Sequence, residues 1–189
     1  MNTTLRSKLA LLIVVTVAVV ATTASALPPQ DQTATSKPAV SAAKNFTQVD
    51  ATLACSGALA PEAYAQLKNA GFASIVNLRE ASEEGANVEA EAKAAADAGL
   101  TYIHLPFASK TPDATKVDAF LKAVVAAENQ PMLVHCASGG RASMFWAIKR
   151  VMVDGWPVEK AMNELPDLTK NVGQPLRAFA LDYLKSHGK

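Results

Sequence analysis

The residues best suited to chemistry in this chain are consecutive: Val134-His135-Cys136-Ala137-Ser138-Gly139-Gly140-Arg141-Ala142-Ser143. An apolar run ends in a thiol, two glycines turn the chain, and a guanidinium stands where a helix begins. Glycines let the backbone N–H groups of Ala137, Ser138, Gly139 and Gly140 converge on one point, forming a nest for an anion. The following helix adds unpaired N–H groups and its positive dipole end. Arg141 can grip an oxyanion through two parallel hydrogen bonds. A field that holds an anion also favours a thiolate, so Cys136 reads as a nucleophile. Were Cys136 only a small packed hydrophobe, Arg141 would be a cation at a helix N-terminus with no purpose, where the dipole disfavours it.

Other side chains support this constellation. His135 precedes the thiol and is suited to ordering the loop. Ser138 and Ser143 could donate to the thiolate or to an attacking water, although serine is common at helix starts. Arg79 and Glu80 follow an apolar run, at the expected active-site end or as a surface pair. His104 reads as a packed or surface histidine. No cluster of histidines and carboxylates has metal-ligand spacing, and no cofactor is implied.

The elements that position these residues alternate. Apolar runs of strand length occur at 73–78, 101–106 and 132–135. Between and after them lie helical stretches at 61–70, 88–98, 113–128, 142–153, 157–165 and 175–186, several opened by proline and closed by glycine. Val117, Phe120, Leu121, Val124 and Val125 fall at helical spacing in the third. Strands alternating with helices imply an α/β domain with three layers and a mostly parallel sheet covered on both faces. Ligands of such sheets bind beyond the carboxyl ends of the strands, which is where Cys136 falls.

The chain has 189 residues, 50% of them hydrophobic, with 18 Lys+Arg against 17 Asp+Glu. A net charge of +1 gives no field for nucleic acid, and two cysteines cannot build a disulfide scaffold. Residues 1–26 read as a signal peptide: Arg6 and Lys8, an apolar stretch from Leu9 to Val20, then Ala24-Ser25-Ala26. That stretch is shorter than the roughly 20 residues of a membrane span, so membrane contact is expected only before cleavage. Cleavage removes Arg6 and Lys8 from the 18 basic residues, leaving 16 against 17 acidic and a net charge of −1. Secretion across an inner membrane, most simply into a periplasm, follows. Residues 27–45, with three prolines and many Ser, Thr and Ala, read as a flexible leader. The folded domain is then expected from Phe46 to Lys189.

On these residues the sequence resembles the Cys-based protein tyrosine phosphatases, and more closely the bacterial beta-lactamase-hydrolase-like phosphatase-like family. The resemblance spans roughly Phe46 to Val153. It rests on Cys55-Ser56-Gly57, Ala70-Gly71-Phe72, Ile75-Val76-Asn77-Leu78-Arg79, the run from Ala98 to Phe107, and the loop from His135 to Arg141. It implies a dual-specificity-phosphatase-like fold, with Cys136 as nucleophile, Arg141 as oxyanion clamp and a small phosphorylated or anionic substrate. Two features depart from the phosphatase pattern. Four residues rather than five separate Cys136 from Arg141, a spacing shared with many rhodanese-type sulfurtransferases. Those enzymes carry a persulfide between a sulfane-sulfur donor and a thiol acceptor. The stretch Phe107-Ala108-Ser109-Lys110 also lacks the expected proton-donating Asp. Asp113 is the nearest substitute, or else a helix cap. The resemblance sets Cys55 near the anion loop, which makes it a possible redox partner of Cys136 in an oxidising compartment. Phosphatase, sulfurtransferase and noncatalytic anion-binding module are the three functions these residues allow.

Overall fold

The computed structural model describes residues 40–168 and 172–189, the side chains of 166–168 excepted, all within one compact unit, Gln32–Lys189. The expected signal peptide, and the leader up to residue 39, lie outside the described residues.

Five strands form the sheet: β1 Thr47–Gln48, β2 Leu53–Ser56, β3 Ser74–Asn77, β4 Thr101–His104 and β5 Met132–His135. Their order is β1-β2-β5-β3-β4, parallel throughout except for the antiparallel edge strand β1. The three inner strands are buried at every position. They can be apolar without alternation because helices cover both faces.

Alternation along each strand still decides which layer a side chain joins. Leu53, Cys55, Val76, Leu78, Met132 and Val134 belong to the larger core. That core is closed by four helices: α3 Ala114–Val124, α4 Gly140–Met152, α5 Val158–Leu168 and α6 Gln174–Ser186. Ala54, Ile75 and Leu133 face the smaller core, closed by α1 Ala63–Asn69 and α2 Val88–Asp97. The α/β fold, with its mostly parallel sheet and three layers, is as expected.

Helix α4 runs through the larger core, and every residue from Gly140 to Val151 is buried. Phe145 is held edge-on by Phe107 at 5.1 Å and Phe120 at 5.2 Å between ring centroids. Removing a fully buried aromatic of this kind costs about 3–5 kcal/mol. The loop that precedes α4 is therefore mounted on the most deeply packed element of the domain.

The structure differs from the sequence reading in three places. Val40 and Ala43 are buried, Ala43 bridges Leu59, and Gly57 N–H donates to Lys44 O at 2.6 Å. Residues 40–45 are thus part of the fold rather than a flexible leader: two small apolar side chains suffice to anchor a segment whose composition resembles a linker. Strands β1 and β2 lie in a stretch with no expected element, being short and separated by a polar turn. Helix α3 stops at Val124, and Val125, assigned to its apolar face, is 54% exposed. A 3-10 turn, Ala127–Asn129, takes the place of the last helical turn.

Candidate active site

Strand β5 carries His135 and, one residue on, Cys136. The alternation sends them to opposite faces. Cys136 belongs to the larger core and is 1% exposed. His135 faces the other layer, in a polar row formed by the register Ser56↔His135, Asn77↔His135 and Asn77↔His104.

The chain leaves β5 through Ala137 and Ser138 and enters α4 at Gly139, which has φ 103°. This left-handed conformation suits glycine and strains any residue with a Cβ. It turns the Gly139 N–H back onto Cys136 Sγ at 3.1 Å. The loop is braced from outside. Asn45 donates to Ser138 O at 3.0 Å, and Ala58 N–H to Ala137 O at 3.2 Å. Gly57 lies against the loop so closely that a Cβ there would meet Ala137 O at 3.0 Å. The leader-like segment and the Cys55-Ser56-Gly57 run therefore shape the loop directly.

Arg141 is 8% exposed and densely bonded. Its Nη1 donates to Leu78 O at 2.9 Å, Phe107 O at 2.9 Å and Glu83 Oε1 at 2.5 Å, and its Nη2 to Glu83 Oε2 at 2.7 Å. Burial works against the cation. The hydrogen bonds that Arg141 donates to Glu83 and the attraction of Cys136 and Glu83 outweigh it, holding the guanidinium pKa above its ordinary value. Burial likewise pushes the Glu83 carboxyl up, yet Arg141, the Glu80 N–H and Arg79 together bring it below its ordinary value. Glu83 is thus a fixed anion that orients Arg141.

Glu83 was not among the residues expected from sequence, because nothing local connects it to a partner 58 positions away. Arg79 makes the connection possible. It is buried rather than part of a surface pair, and it donates to Gly85 O at 3.0 Å and Glu84 O at 2.6 Å. That staple folds residues 80–85 back over the end of β3. His104 Nε2 lies 2.8 Å from Arg79 O and helps to fix the same turn.

Two adjoining cavities open here. One, of about 380 Å³, is lined by Glu80, Glu83, Ala108, Ser109, Lys110 and Arg141. The other, of about 550 Å³, shares Ser109 and Lys110 and is otherwise walled by Pro112, Gly173, Pro175 and Leu176. The first is charged and the second largely apolar.

Two expected roles, those of Asp113 and Ser143, are changed by the geometry. Asp113 caps α3: its Oδ1 accepts from Thr115 N–H at 2.9 Å and Thr115 Oγ1 at 2.7 Å. It lines neither cavity, so the role of proton donor does not fit it. Ser143 is buried and donates to Gly139 O at 3.0 Å, which ties the loop to α4 instead of serving the thiol. Cys55 is a free, buried thiol whose Sγ lies 3.6 Å from Ala142 O. Burial, then the nearby Cys136 charge, push its pKa up, which keeps it protonated.

His135 is wholly buried. Burial first, then the charges of Arg79 and Arg141, depress its pKa to about 3, so the ring is neutral at physiological pH. Its Nε2 stands 3.4 Å from Glu91 Oε2. Its chemistry is to fill and order the space behind the loop. Among the described residues, no group of three His, Cys, Asp or Glu is placed to hold a metal ion.

Residues 45–153 match the family described as the beta-lactamase hydrolase-like protein, phosphatase-like domain. The chain belongs to that family. A curated beta-lactamase hydrolase-like protein of Xylella fastidiosa strain Temecula1 is 35% identical over 112 residues, 58% of this chain. The chain spans only 26% of that relative's length. Among solved structures, the DUF442 protein of Shewanella putrefaciens CN-32 superposes with a TM-score of 0.66 at 23% identity, covering 76% of this chain and 93% of that one. P. aeruginosa TpbA gives 0.60 at 22% identity, covering 74% and 84%. The catalytic core of the S. cerevisiae phosphatase SIW14 gives 0.63 at 18% identity, covering 75% and 86%. These superpositions establish that the chain shares the fold of these three proteins. Family and fold together support a Cys-based phosphatase, a hydrolase, at the level of the family.

Proposed function

We propose that the domain hydrolyses phosphate monoesters through a phosphocysteine intermediate on Cys136. The observation that carries this reading is the loop itself: Gly139 N–H on Cys136 Sγ at 3.1 Å, with Arg141 at the start of the following helix and lining a cavity of about 380 Å³. A donor aimed at the sulfur favours a thiolate, and the loop amides and guanidinium would take the oxygens of a transferring phosphoryl group. Sγ attacks phosphorus, the ester oxygen departs, and water then releases inorganic phosphate and restores the thiolate. TpbA has been crystallised with pTyr and SIW14 with citrate, which supports a small phosphorylated or anionic substrate here.

Cys55 is proposed as a redox partner of Cys136. It pairs with Val134, two residues before Cys136 on the same face of β5. Peptide mapping of mildly oxidised protein without reduction should find the Cys55–Cys136 linkage. Its absence rejects this role alone.

The purified chain, assayed in parallel with an aryl phosphate and with thiosulfate plus cyanide, tests the main reading. Phosphate release that disappears in Cys136→Ser is expected. Thiocyanate formation dependent on Cys136, without phosphate release, would replace the phosphatase with a persulfide carrier. Neither activity would leave an anion-binding module. Localisation in a periplasm is a companion proposal, tested by fractionating cells that express the tagged chain.

A further inference from the structure

The proposed reaction leaves one proton without a donor. An ester oxygen that departs as an alkoxide or phenoxide must be protonated, and the expected carboxylate is missing: Asp113 is bound up in capping α3. Two other carboxylates, Glu83 and Glu80, line the cavity beside Arg141. Glu83 is fully engaged. It accepts from Arg141 through both oxygens and from the Glu80 N–H at 2.8 Å, and its carboxyl is held in the charged form.

Glu80 is different. Its backbone N–H meets Glu83 Oε1, the same oxygen that Arg141 Nη1 meets at 2.5 Å, so a single oxygen separates the Glu80 main chain from the guanidinium. Its half-buried side chain forms no hydrogen bond or ion pair among the described residues, and it lines the same cavity as Ala108, Ser109 and Lys110. Those three belong to the stretch where the family resemblance places the leaving group's proton donor. A carboxyl without a side-chain partner among the described residues thus lines the same cavity as that stretch and Arg141.

We propose that Glu80 is the general acid and base of this enzyme, a role that rests on the phosphatase reading. As Sγ of the Cys136 thiolate bonds to phosphorus and the P–O ester bond breaks, the Glu80 carboxyl gives its proton to the departing oxygen, releasing the alcohol. In the second step the Glu80 carboxylate takes a proton from water while that water's oxygen attacks phosphorus. The S–P bond breaks, inorganic phosphate leaves, and both groups return to their starting states. Lys110, which lines the same cavity, adds positive charge there.

The test uses the full chain and Glu80→Gln, Glu80→Asp, Lys110→Ala, Asp113→Ala and Cys136→Ser variants. Each is assayed across pH on p-nitrophenyl phosphate, whose leaving group departs unaided, and on phenyl phosphate, whose leaving group needs a proton. Glu80→Gln is expected to lose about 10²-fold or more in kcat on phenyl phosphate, and far less on the nitrophenyl ester. It should also lose the fall of kcat toward alkaline pH. Glu80→Asp should restore that limb in part, and Asp113→Ala and Lys110→Ala should retain it. A Glu80→Gln enzyme within about threefold of the parent on phenyl phosphate, with its alkaline limb intact, overturns the assignment. So does an Asp113→Ala enzyme that loses the limb. If the parent itself shows no phosphate release dependent on Cys136, the phosphatase reading falls, and this role with it.

Discussion

The two ends of α4 both bury basic side chains, and they do so under opposite physics. At the C-terminal end stand Lys149 and Arg150, where the helix dipole welcomes a cation. They share two carboxylates: Asp50 lies 3.3 Å from Lys149 Nζ and 3.1 Å from Arg150 Nη1, and Asp154 lies 2.9 Å from each. Trp146 and Trp156 flank the Arg150 guanidinium at 5.4 Å and 4.5 Å. Asp50 also accepts from the N–H groups of Thr52 and Leu53, so the cluster pins α4 to the turn between β1 and β2. At the N-terminal end Arg141 stands against the dipole, held by one carboxylate brought in from a distant loop, beside a thiol and a left-handed glycine. The first arrangement uses charge for cohesion. The second accepts an unfavourable cation beside a thiol, an arrangement that suits the anionic substrate proposed above.

This contrast can be broken at either end. The largest effect expected is on stability, at the cohesive end. Asp50→Ala leaves Lys149 and Arg150 buried with one carboxylate between them and should cost about 3–5 kcal/mol in chemical denaturation. Activity per folded molecule should be unchanged. A strong loss of kcat in the folded variant would show that the two ends do not divide their roles.

The next effect falls on catalysis. Arg141→Lys keeps a charge but loses the planar fork, and it should lower kcat on an aryl phosphate about 10²–10³-fold. Its unfolding midpoint should move less than that of Asp50→Ala. Equal destabilisation by the two variants would make Arg141 a second structural cation and erase the contrast.

A third effect, on the pH dependence of stability alone, concerns the residue behind the loop. His135 has a pKa of about 3 in the fold against an ordinary 6.5, so the unfolded chain binds the extra proton between those values. Its contribution is therefore complete above pH 6.5 and declines as pH falls toward 3, by about 1.4 kcal/mol per pH unit. Denaturation midpoints of the parent and His135→Asn, compared between pH 7 and pH 4 (roughly the span over which the proton is taken up), should converge as pH falls. Parallel curves would mean that His135 is not the group whose protonation is resisted.

Much of the catalytic end could be read from the sequence because its parts are adjacent. Cys136, the glycine turn and Arg141 occupy one strand-to-helix junction, and strand periodicity explains why His135 and Cys136 face different layers. What escaped was assembled across the chain. Glu83 reaches Arg141 only because Arg79 folds back the loop after β3, and Asn45 reaches Ser138 only because Val40 and Ala43 bury themselves. Strands of two and four residues carry too little periodicity to be seen before their pairing is known. Ser143 and Asp113 have residue types suited to catalysis, but backbone groups close at hand claim both side chains.

The central claim is that Cys136 carries the phosphoryl group, and trapping the intermediate tests it most directly. The full chain is mixed with an aryl phosphate, quenched within the first turnover, and its peptides are weighed. The account predicts a phosphoryl group on the peptide containing Cys136, absent from Cys136→Ser. Rapid phosphate release with that peptide unmodified at every time point, or undiminished release by Cys136→Ser, would contradict it.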